Sequence, residues 1–128
     1  MDFGKIVKYP TEPTPMMRKY EDRYMDKSNQ DLEFRRCLKN KCYVYDWEDG
    51  FIQFVPNPEC LFIRTLFFEK NSEEKFRDIF KLAKAIGAKE VQFITRRNPK
   101  AWIRLLKKHY PKHNPELWGY HLNVTTEF

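Results

Sequence analysis

Several residue patterns that mark common enzyme and metal sites are missing from this 128-residue chain. It has only four glycines, with neither a P-loop nor a Gly-x-Ser-x-Gly turn, which excludes the usual nucleotide-binding loop and the nucleophile turn of serine hydrolases. The three histidines lack the spacing of metal ligands. The three cysteines are odd in number and have no paired spacing, so we expect reduced thiols and neither a disulfide framework nor a zinc site.

Long apolar runs are also missing from the sequence. No stretch approaches the roughly 20 apolar residues that cross a bilayer, and the first residues lack the apolar centre of a signal peptide. We therefore expect a cytoplasmic protein without a membrane segment. Hydrophobic residues make up 41% of the chain and aromatic residues 16%, which is enough for a packed core. At this length residues 1–128 are expected to form one domain.

The first 40 residues predict one short strand and two helices. Residues 5–9 are β-prone and end at Pro10, which has no backbone donor. Thr14 followed by proline is typical of a helix start, and this helix is expected to end near Lys27. Ser28, with Asp31 three residues later, predicts the start of a second short helix over residues 32–38.

A hairpin and a long strand follow the two helices. Residues 42–47 and 51–55 are β-prone runs separated by a turn at Glu48-Asp49-Gly50, and Asp-Gly between such runs is a strong hairpin signal. After a second turn at residues 56–58, Cys60–Phe68 is the longest apolar strand candidate. Three antiparallel strands are the simplest interpretation.

The next segment predicts a strand–helix–strand unit. Asn71 and Glu74 have the spacing of a capping box at the start of an amphipathic helix, and Gly87 is its C-cap candidate. Residues 91–95 then have the composition of a buried strand. Two strands joined through a helix of this length imply a parallel pair with a right-handed crossover.

The last part of the chain predicts a basic helix and one closing strand. Asn98 and Pro99 mark the helix start, and residues 117–125 form the strand candidate. Between Thr95 and Pro115 there are seven basic residues and no acidic one, which accounts for the net charge of +6. A basic outer face of an amphipathic helix is most often only solvated. The sharper interpretation is an anion-binding surface.

The predicted order β-α-α-β-β-β-α-β-α-β, with Asn98 and Ala101 after the later strand, resembles the GNAT acyltransferases over nearly the entire chain. The specific part of the resemblance lies in residues 60–110. It implies an α/β (α+β) fold with a mixed, mostly antiparallel sheet around a central βαβ unit. It also implies that Cys60–Phe68 and residues 91–95 splay apart. A small chain rich in Lys, Phe and Tyr also looks like the GNAT-like proteins that bacteriophages encode.

The resemblance implies acetyl-CoA as the cofactor, with its pantetheine arm between the splayed strands. Backbone groups near Leu66 and Phe68 would hold the arm, with Asn98 close by. Asn71 and Ser72 fall in the segment that faces the cofactor's phosphates in the family. No metal is implied.

This sequence differs from the family in two segments. The loop over residues 68–74 has no glycine where the family has a glycine-rich phosphate loop, and it contains the carboxylates Glu69, Glu73 and Glu74. Leu105 stands at the position of the tyrosine that protonates the leaving thiolate in many members. The catalytic residues are therefore unknown.

Other acid and base candidates are weakly marked. Glu69 and Glu59 are candidate bases by position only, and each is also typical of a solvated loop carboxylate. His109 lies on the apolar stripe of its helix, which favours a packing role.

Two functions remain open from the sequence. One is a divergent N-acyltransferase that uses acetyl-CoA on an unknown amine acceptor. The alternative is a catalytically inactive GNAT-fold protein that binds a protein or a nucleic acid. The candidate nucleic-acid or anion-binding residues are Arg96, Arg97, Lys100, Arg104, Lys107 and Lys108.

Overall fold

The computed structural model describes residues 6–8, 10–24, 31–95, 98–119 and 121–125. The strands within these residues are β1 (Ile6–Lys8), β2 (Tyr43–Trp47), β3 (Gly50–Val55), β4 (Cys60–Phe68), β5 (Glu90–Ile94), β6 (Glu116–Trp118) and β7 (His121–Thr125). The helices are α1 (Pro15–Tyr24), α2 (Leu32–Lys39), α3 (Ser72–Ala85) and α4 (Pro99–His109), followed by a 3-10 turn at Pro111–His113. None of these helices is both long and apolar enough to span a membrane.

The strands form one mixed sheet in the order β1-β2-β3-β4-β5-β7-β6. Strands β4 and β5 are parallel, with Cys60 opposite Glu90, and all other neighbouring pairs are antiparallel. The predicted fold class and its central βαβ unit are confirmed, because β4, α3 and β5 follow one another along the chain.

The prediction of one closing strand is wrong. The chain reverses after Trp118, so that β6 and β7 pair as an antiparallel hairpin with Trp118 opposite His121. Gly119 has a φ of +65°, a left-handed conformation that glycine adopts without steric cost. Its neighbours are β-prone, and this hid the turn in the sequence.

The helices cover the sheet from both sides and define two cores. The larger core lies under α3 and α4, where Phe76, Ile79 and Leu106 pack against strand residues such as Phe93. The smaller core lies under α1 and α2, where Met17 and Cys37 pack with Val44, Phe51 and Phe67. Successive side chains along each strand point to opposite faces of the sheet, so the same strands contribute to both cores.

A β-bulge in β4 changes which side chains face which core. Gln53 is opposite Thr65 and Phe54 is opposite Ile63, so Arg64 is the extra residue without a partner on β3. Before the bulge, Ile63 belongs to the larger core, and after it Leu66 and Phe68 do. Pairing with β5 stops at Ile63 and Phe93, so the bulge coincides with the point where β4 and β5 separate.

A buried polar network holds the bulge against α2. The Nη1 atom of Arg64 donates to Gln53 Oε1 at 3.1 Å, to Thr65 Oγ1 at 3.0 Å and to Glu33 Oε2 at 3.4 Å. Thr65 Oγ1 donates to the same carboxylate at 3.2 Å. Glu33 is only 3% exposed, and its carboxylate forms ion pairs with Arg64 and with the half-exposed Arg36. Paired, hydrogen-bonded charges of this kind are costly to break.

The predicted capping box at α3 is wrong. Asn71 and Asn98 do precede their helices, but both have positive φ, at 57° and 53°, and neither side chain makes a capping hydrogen bond. Side-chain capping requires an extended conformation at this position, whereas asparagine tolerates the left-handed one found here. The first N–H groups of both helices are therefore left without a side-chain partner.

Helix α2 is capped by a residue of α1. The carboxylate of Glu21 accepts hydrogen bonds from the backbone N–H of Asp31 at 2.9 Å and of Glu33 at 2.8 Å. Ser28, the predicted cap, lies outside the described residues. A buried carboxylate at a helix N-terminus satisfies orphan donors and complements the helix dipole, so this contact also fixes α1 to α2.

The start of α1 is anchored to β2. Thr14 Oγ1 accepts a hydrogen bond from Met17 N at 3.3 Å, as its predicted capping role requires, and donates one to Asp46 Oδ1 at 3.3 Å. Burial raises the pKa of the Asp46 carboxyl to about 6, although the Thr14 hydrogen bond opposes this shift.

Asp46 makes stability depend on pH in a defined direction. Its folded pKa of about 6 is above the ordinary value of 3.8, so the folded state takes up a proton more readily than the unfolded state, and stability falls as pH rises from about 4 to 6. For the partly solvated side chain we expect a loss on the order of 1 kcal/mol. Urea unfolding at pH 4.5 and 7.5 should show this loss in the wild type and not in Asp46→Asn. Equal pH dependence in both proteins would contradict it.

Candidate functional site

The gap between β4 and β5 opens into a narrow cavity, which we call the inner slot. Beyond Ile63, β4 continues for five residues without a β5 partner, and a cavity of about 80 Å³ lies beside this unpaired part. The slot is lined by Tyr20, Tyr24, Leu66, Phe67, Phe68, Thr95 and Trp102. Strand β4, helix α1 and helix α4 therefore all contribute to it.

Aromatic rings make the inner slot narrow. The ring of Trp102 lies 5.8 Å from that of Phe68 and 5.7 Å from that of Phe76, both at nearly perpendicular angles. On the other side, Tyr24 contacts Phe67 edge to face at 6.0 Å. Such pairs stabilise one another beyond simple burial. Trp102 thus forms the α4 side of the slot, packed against β4 and α3.

A second, larger groove of about 480 Å³ lies at the start of α3. It is lined by Asn71, Ser72, Glu73, Glu74, Arg77, Leu105 and His109. Because the Asn71 side chain does not cap α3, the backbone N–H groups of the first turn are available to a ligand in this outer groove. Uncapped N–H groups at a helix N-terminus favour an anion.

Two of the three carboxylates between the end of β4 and the first turn of α3 contact basic side chains. Glu69 pairs with Lys19 at 2.8 Å and does not line the outer groove. Glu73 Oε1 lies 3.4 Å from His109 Nδ1, and the Glu73 carbonyl accepts a hydrogen bond from Tyr110 Oη at 3.2 Å. Burial is the main cause that raises the pKa of Tyr110 above its usual value. Glu74 also lines the groove, and it makes no ion pair with any described residue.

A buried lysine anchors the loop that separates the slot from the groove. Lys75 is 2% exposed, and its Nζ lies 2.7 Å from Asp49 Oδ1 and 2.6 Å from the Lys70 carbonyl oxygen. Its ammonium also lies about 6 Å from the rings of Trp47 and Phe68. The turn between β2 and β3 is thereby tied to α3. A polar cleft of about 800 Å³ borders this contact.

The predicted cofactor residues fall into three places. Leu66 and Phe68 line the inner slot, and Asn71 and Ser72 line the outer groove. Asn98 is exposed at the start of α4 and lines neither cavity. The structure brings the first four together along one continuous segment of chain, and their binding roles stay predictions.

The predicted basic residues are only partly described. Arg96 and Arg97 lie outside the described residues. Lys100, Arg104, Lys107 and Lys108 are exposed on the outer face of α4, and no ion pair holds any of them among the residues that the structure describes. Their role in binding anions stays a prediction.

The sequence did not reveal a row of polar side chains, Glu90, Gln92 and His121, on the sheet face opposite α3 and α4. His121 of β7 is paired with Ile94 on one side and Trp118 on the other, and its Nε2 lies 3.1 Å from Gln92 Oε1. Gln92 Nε2 in turn donates to Glu90 Oε2 at 3.2 Å. The alternation of His121 with buried Leu122 could have revealed the face, but not its neighbours. No group of three potential metal ligands occurs in the described ranges.

The sequence matches no protein family profile and no curated protein. Solved GNAT acetyltransferases share its fold. The N-acetyltransferase PseH of Campylobacter jejuni has a TM-score of 0.57 at 16% identity, covering 96% of this chain and 98% of that one. The aminoglycoside 6'-N-acetyltransferase of Enterococcus faecium has a TM-score of 0.53 at 10% identity, covering 96% of this chain and 97% of that one. Tetrahymena GCN5 has a TM-score of 0.52 at 9% identity, covering 95% of this chain and 96% of that one. The chain therefore has the GNAT fold.

The pair of Lys75 and Asp49 gives a test of the loop anchor. Asp49→Asn leaves a buried ammonium without its carboxylate, so we expect a loss of about 3–5 kcal/mol in the free energy of unfolding. Lys75→Met combined with Asp49→Asn should recover much of this loss. Lys19→Met breaks the more exposed pair with Glu69 and should cost less than about 1 kcal/mol. Equal losses in urea unfolding for Asp49→Asn and Lys19→Met would contradict the anchor.

Proposed function

We propose that this protein is an N-acyltransferase that uses acetyl-CoA on an amine acceptor. The observation that carries the proposal is the separation of β4 and β5 at the Arg64 bulge, next to an α3 N-terminus without a side-chain cap. The shared fold supports it, since related structures include PseH in complex with acetyl coenzyme A and an aminoglycoside 6'-N-acetyltransferase complexed with coenzyme A.

The residues of the outer groove fit the anionic part of such a cofactor. The first-turn N–H groups of Ser72, Glu73 and Glu74 are the donors that a diphosphate group needs, and Arg77 adds a cation in the same groove. The left-handed conformation of Asn71 leaves these donors uncapped without a glycine. The donor set therefore fits the group although the glycine-rich pattern is missing.

The inner slot fits the extended arm only after a side chain moves. At about 80 Å³ it is small, and the indole of Trp102 forms one of its walls. Rotation of Trp102 would place the arm along the unpaired edge of β4, where backbone groups near Leu66 and Phe68 can hydrogen-bond to it. Bound acetyl-CoA would supply the acetyl thioester, and Leu105 has no proton to give to the departing sulfur.

Calorimetric titration with acetyl-CoA tests this function. The variant Glu74→Gln tests whether the phosphates lie in the outer groove. Replacing Glu74 by Gln removes one negative charge from the groove, which at about 1 kcal/mol should lower Kd about fivefold. Glu59→Gln is the matched control, because Glu59 precedes β4 at the end where β4 and β5 remain paired. Tryptophan fluorescence should also change on binding, because Trp102 must move.

Two results would overturn the proposal. One is the absence of any binding at millimolar acetyl-CoA. The other is an equal change in Kd for Glu74→Gln and Glu59→Gln, because the phosphates would then not lie in the outer groove.

The exposed basic face of α4 supports a second candidate function, nucleic-acid binding. Lys100, Arg104, Lys107 and Lys108 are exposed and unpaired among the described residues. If these cations neutralise phosphates, affinity for a single-stranded oligonucleotide should fall steeply with salt, and Lys107→Gln with Lys108→Gln should reduce the slope by about two. Affinity that is absent or insensitive to salt in a filter-binding titration would exclude this candidate.

A further inference from the structure

We infer that His121 is the general base for the acceptor amine, and that the row formed by Ile94, His121 and Trp118 receives an amine carried on an apolar or aromatic body. The inference rests on the proposed acyltransferase function. It assigns a catalytic residue to a site in which Leu105 stands at the position of the family's tyrosine.

The row lies beside the gap on the sheet face opposite α3 and α4. Leu122 points into the core under α3 and α4, so its neighbour His121 points to the other face. His121 is paired with Ile94, the last residue of β5, and β5 leaves β4 directly after Phe93. An acceptor over His121 would therefore approach the gap from the face opposite α3 and α4, on which Tyr20 and Tyr24 of α1 also line the inner slot.

Two hydrogen bonds fix the tautomer of His121. Gln92 Nε2 lies 3.2 Å from Glu90 Oε2, and a carboxylate only accepts, so the amide nitrogen of Gln92 must face Glu90. The amide oxygen of Gln92 then faces His121 Nε2 at 3.1 Å, and this oxygen also only accepts. Neutral His121 must therefore carry its proton on Nε2. Gln92 and Glu90 are positioning residues in this arrangement.

The other ring nitrogen of His121 is the base. Nδ1 has a lone pair in this tautomer and makes no hydrogen bond to any described residue. An acceptor ammonium would give one proton to Nδ1, and the amine nitrogen would then form a C–N bond to the acyl carbon as the C–S bond breaks. The second proton of the nitrogen goes to the departing sulfur, and His121 returns its proton to solvent. The products are an amide, a thiol and one proton.

The neighbours of His121 indicate the class of acceptor. Ile94 is 42% exposed and Trp118 is 55% exposed, and both are direct partners of His121 across the sheet. The Trp118 ring lies 6.1 Å from the imidazole and the Phe62 ring 6.4 Å from it. An exposed apolar surface around a base favours an amine attached to an apolar or aromatic group.

Three charged groups lie on the same sheet face as His121. Glu90 on β5 acts through Gln92, Glu116 on β6 is opposite Asn123, and Arg64 on β4 lies across the gap. The positive charge of Arg64 is already matched by Glu33.

Nitrogen NMR of the imidazole rings tests the tautomer without any reaction. The signals of His121, assigned by their loss in His121→Gln, should show the proton on Nε2 in the wild type and a mixture of tautomers in Gln92→Leu. His113→Gln should leave them unchanged. A proton on Nδ1 in the wild type would overturn the inference.

Acetyl transfer to 2-phenylethylamine, with ethanolamine as the polar comparison, tests the base and the acceptor class. Transfer to 2-phenylethylamine should have the higher kcat/KM, and its rate should rise with pH to a plateau. His121→Gln should lower kcat about 100-fold or more and remove this rise, because general-base catalysis contributes 10²–10⁴. His113→Gln should retain both, and the melting temperature of each variant shows that it is folded.

The two proposals fail in different ways. Loss of acetyl-CoA binding in the wild type would overturn the acyltransferase function itself. With acetyl-CoA bound normally, an unchanged rate and pH profile in His121→Gln would overturn the role of His121 alone. Preference for ethanolamine, or no transfer to either amine, would overturn the acceptor class.

Discussion

The extra residue at Arg64 is the constraint on which the rest of the structure depends. A single added residue in β4 turns the side chains that follow it to the opposite faces of the sheet, so that Leu66 and Phe68 join the core under α3 and α4. The pairing with β5 stops at the same place. The Nη1 atom of Arg64 donates to Glu33, Gln53 and Thr65, and these hydrogen bonds stabilise the bulge. The change of core, the gap and the polar network therefore all lie at Arg64.

Much of the fold was predictable because it depends on residues that are close together in the sequence. The hairpin of β2 and β3, the Thr14 cap and the apolar periodicity of α3 are each indicated by residues close together in sequence. The turn itself is Glu48-Asp49, because Gly50 already pairs with Trp47 as the first residue of β3. The hairpin of β6 and β7 was not found, because one left-handed glycine in a β-prone run gives a weak signal. The bulge was hidden for a similar reason, since Cys60–Phe68 is one uninterrupted strand in sequence.

The site was less predictable than the fold because its contacts join distant parts of the chain. Glu21 caps a helix ten residues further on, and Lys75 pairs with a turn 26 positions before it. The assumption that Asn71 would cap its own helix failed on backbone conformation, which composition does not show. The relay from Glu90 through Gln92 to His121 depends on strand order, which brings β5 beside β7. Each of these features follows from tertiary placement.

The indole of Trp102 has a consequence for how the gap responds to any molecule that enters it. One wall of the slot is a side chain that is well packed against two aromatic neighbours. A ligand too large for the slot can bind only the fraction of molecules in which this side chain has moved aside, so its apparent affinity is its intrinsic affinity multiplied by that fraction. The packing that stabilises the free state therefore raises the concentration at which the slot is half filled, by the same factor for every ligand that requires the indole to move.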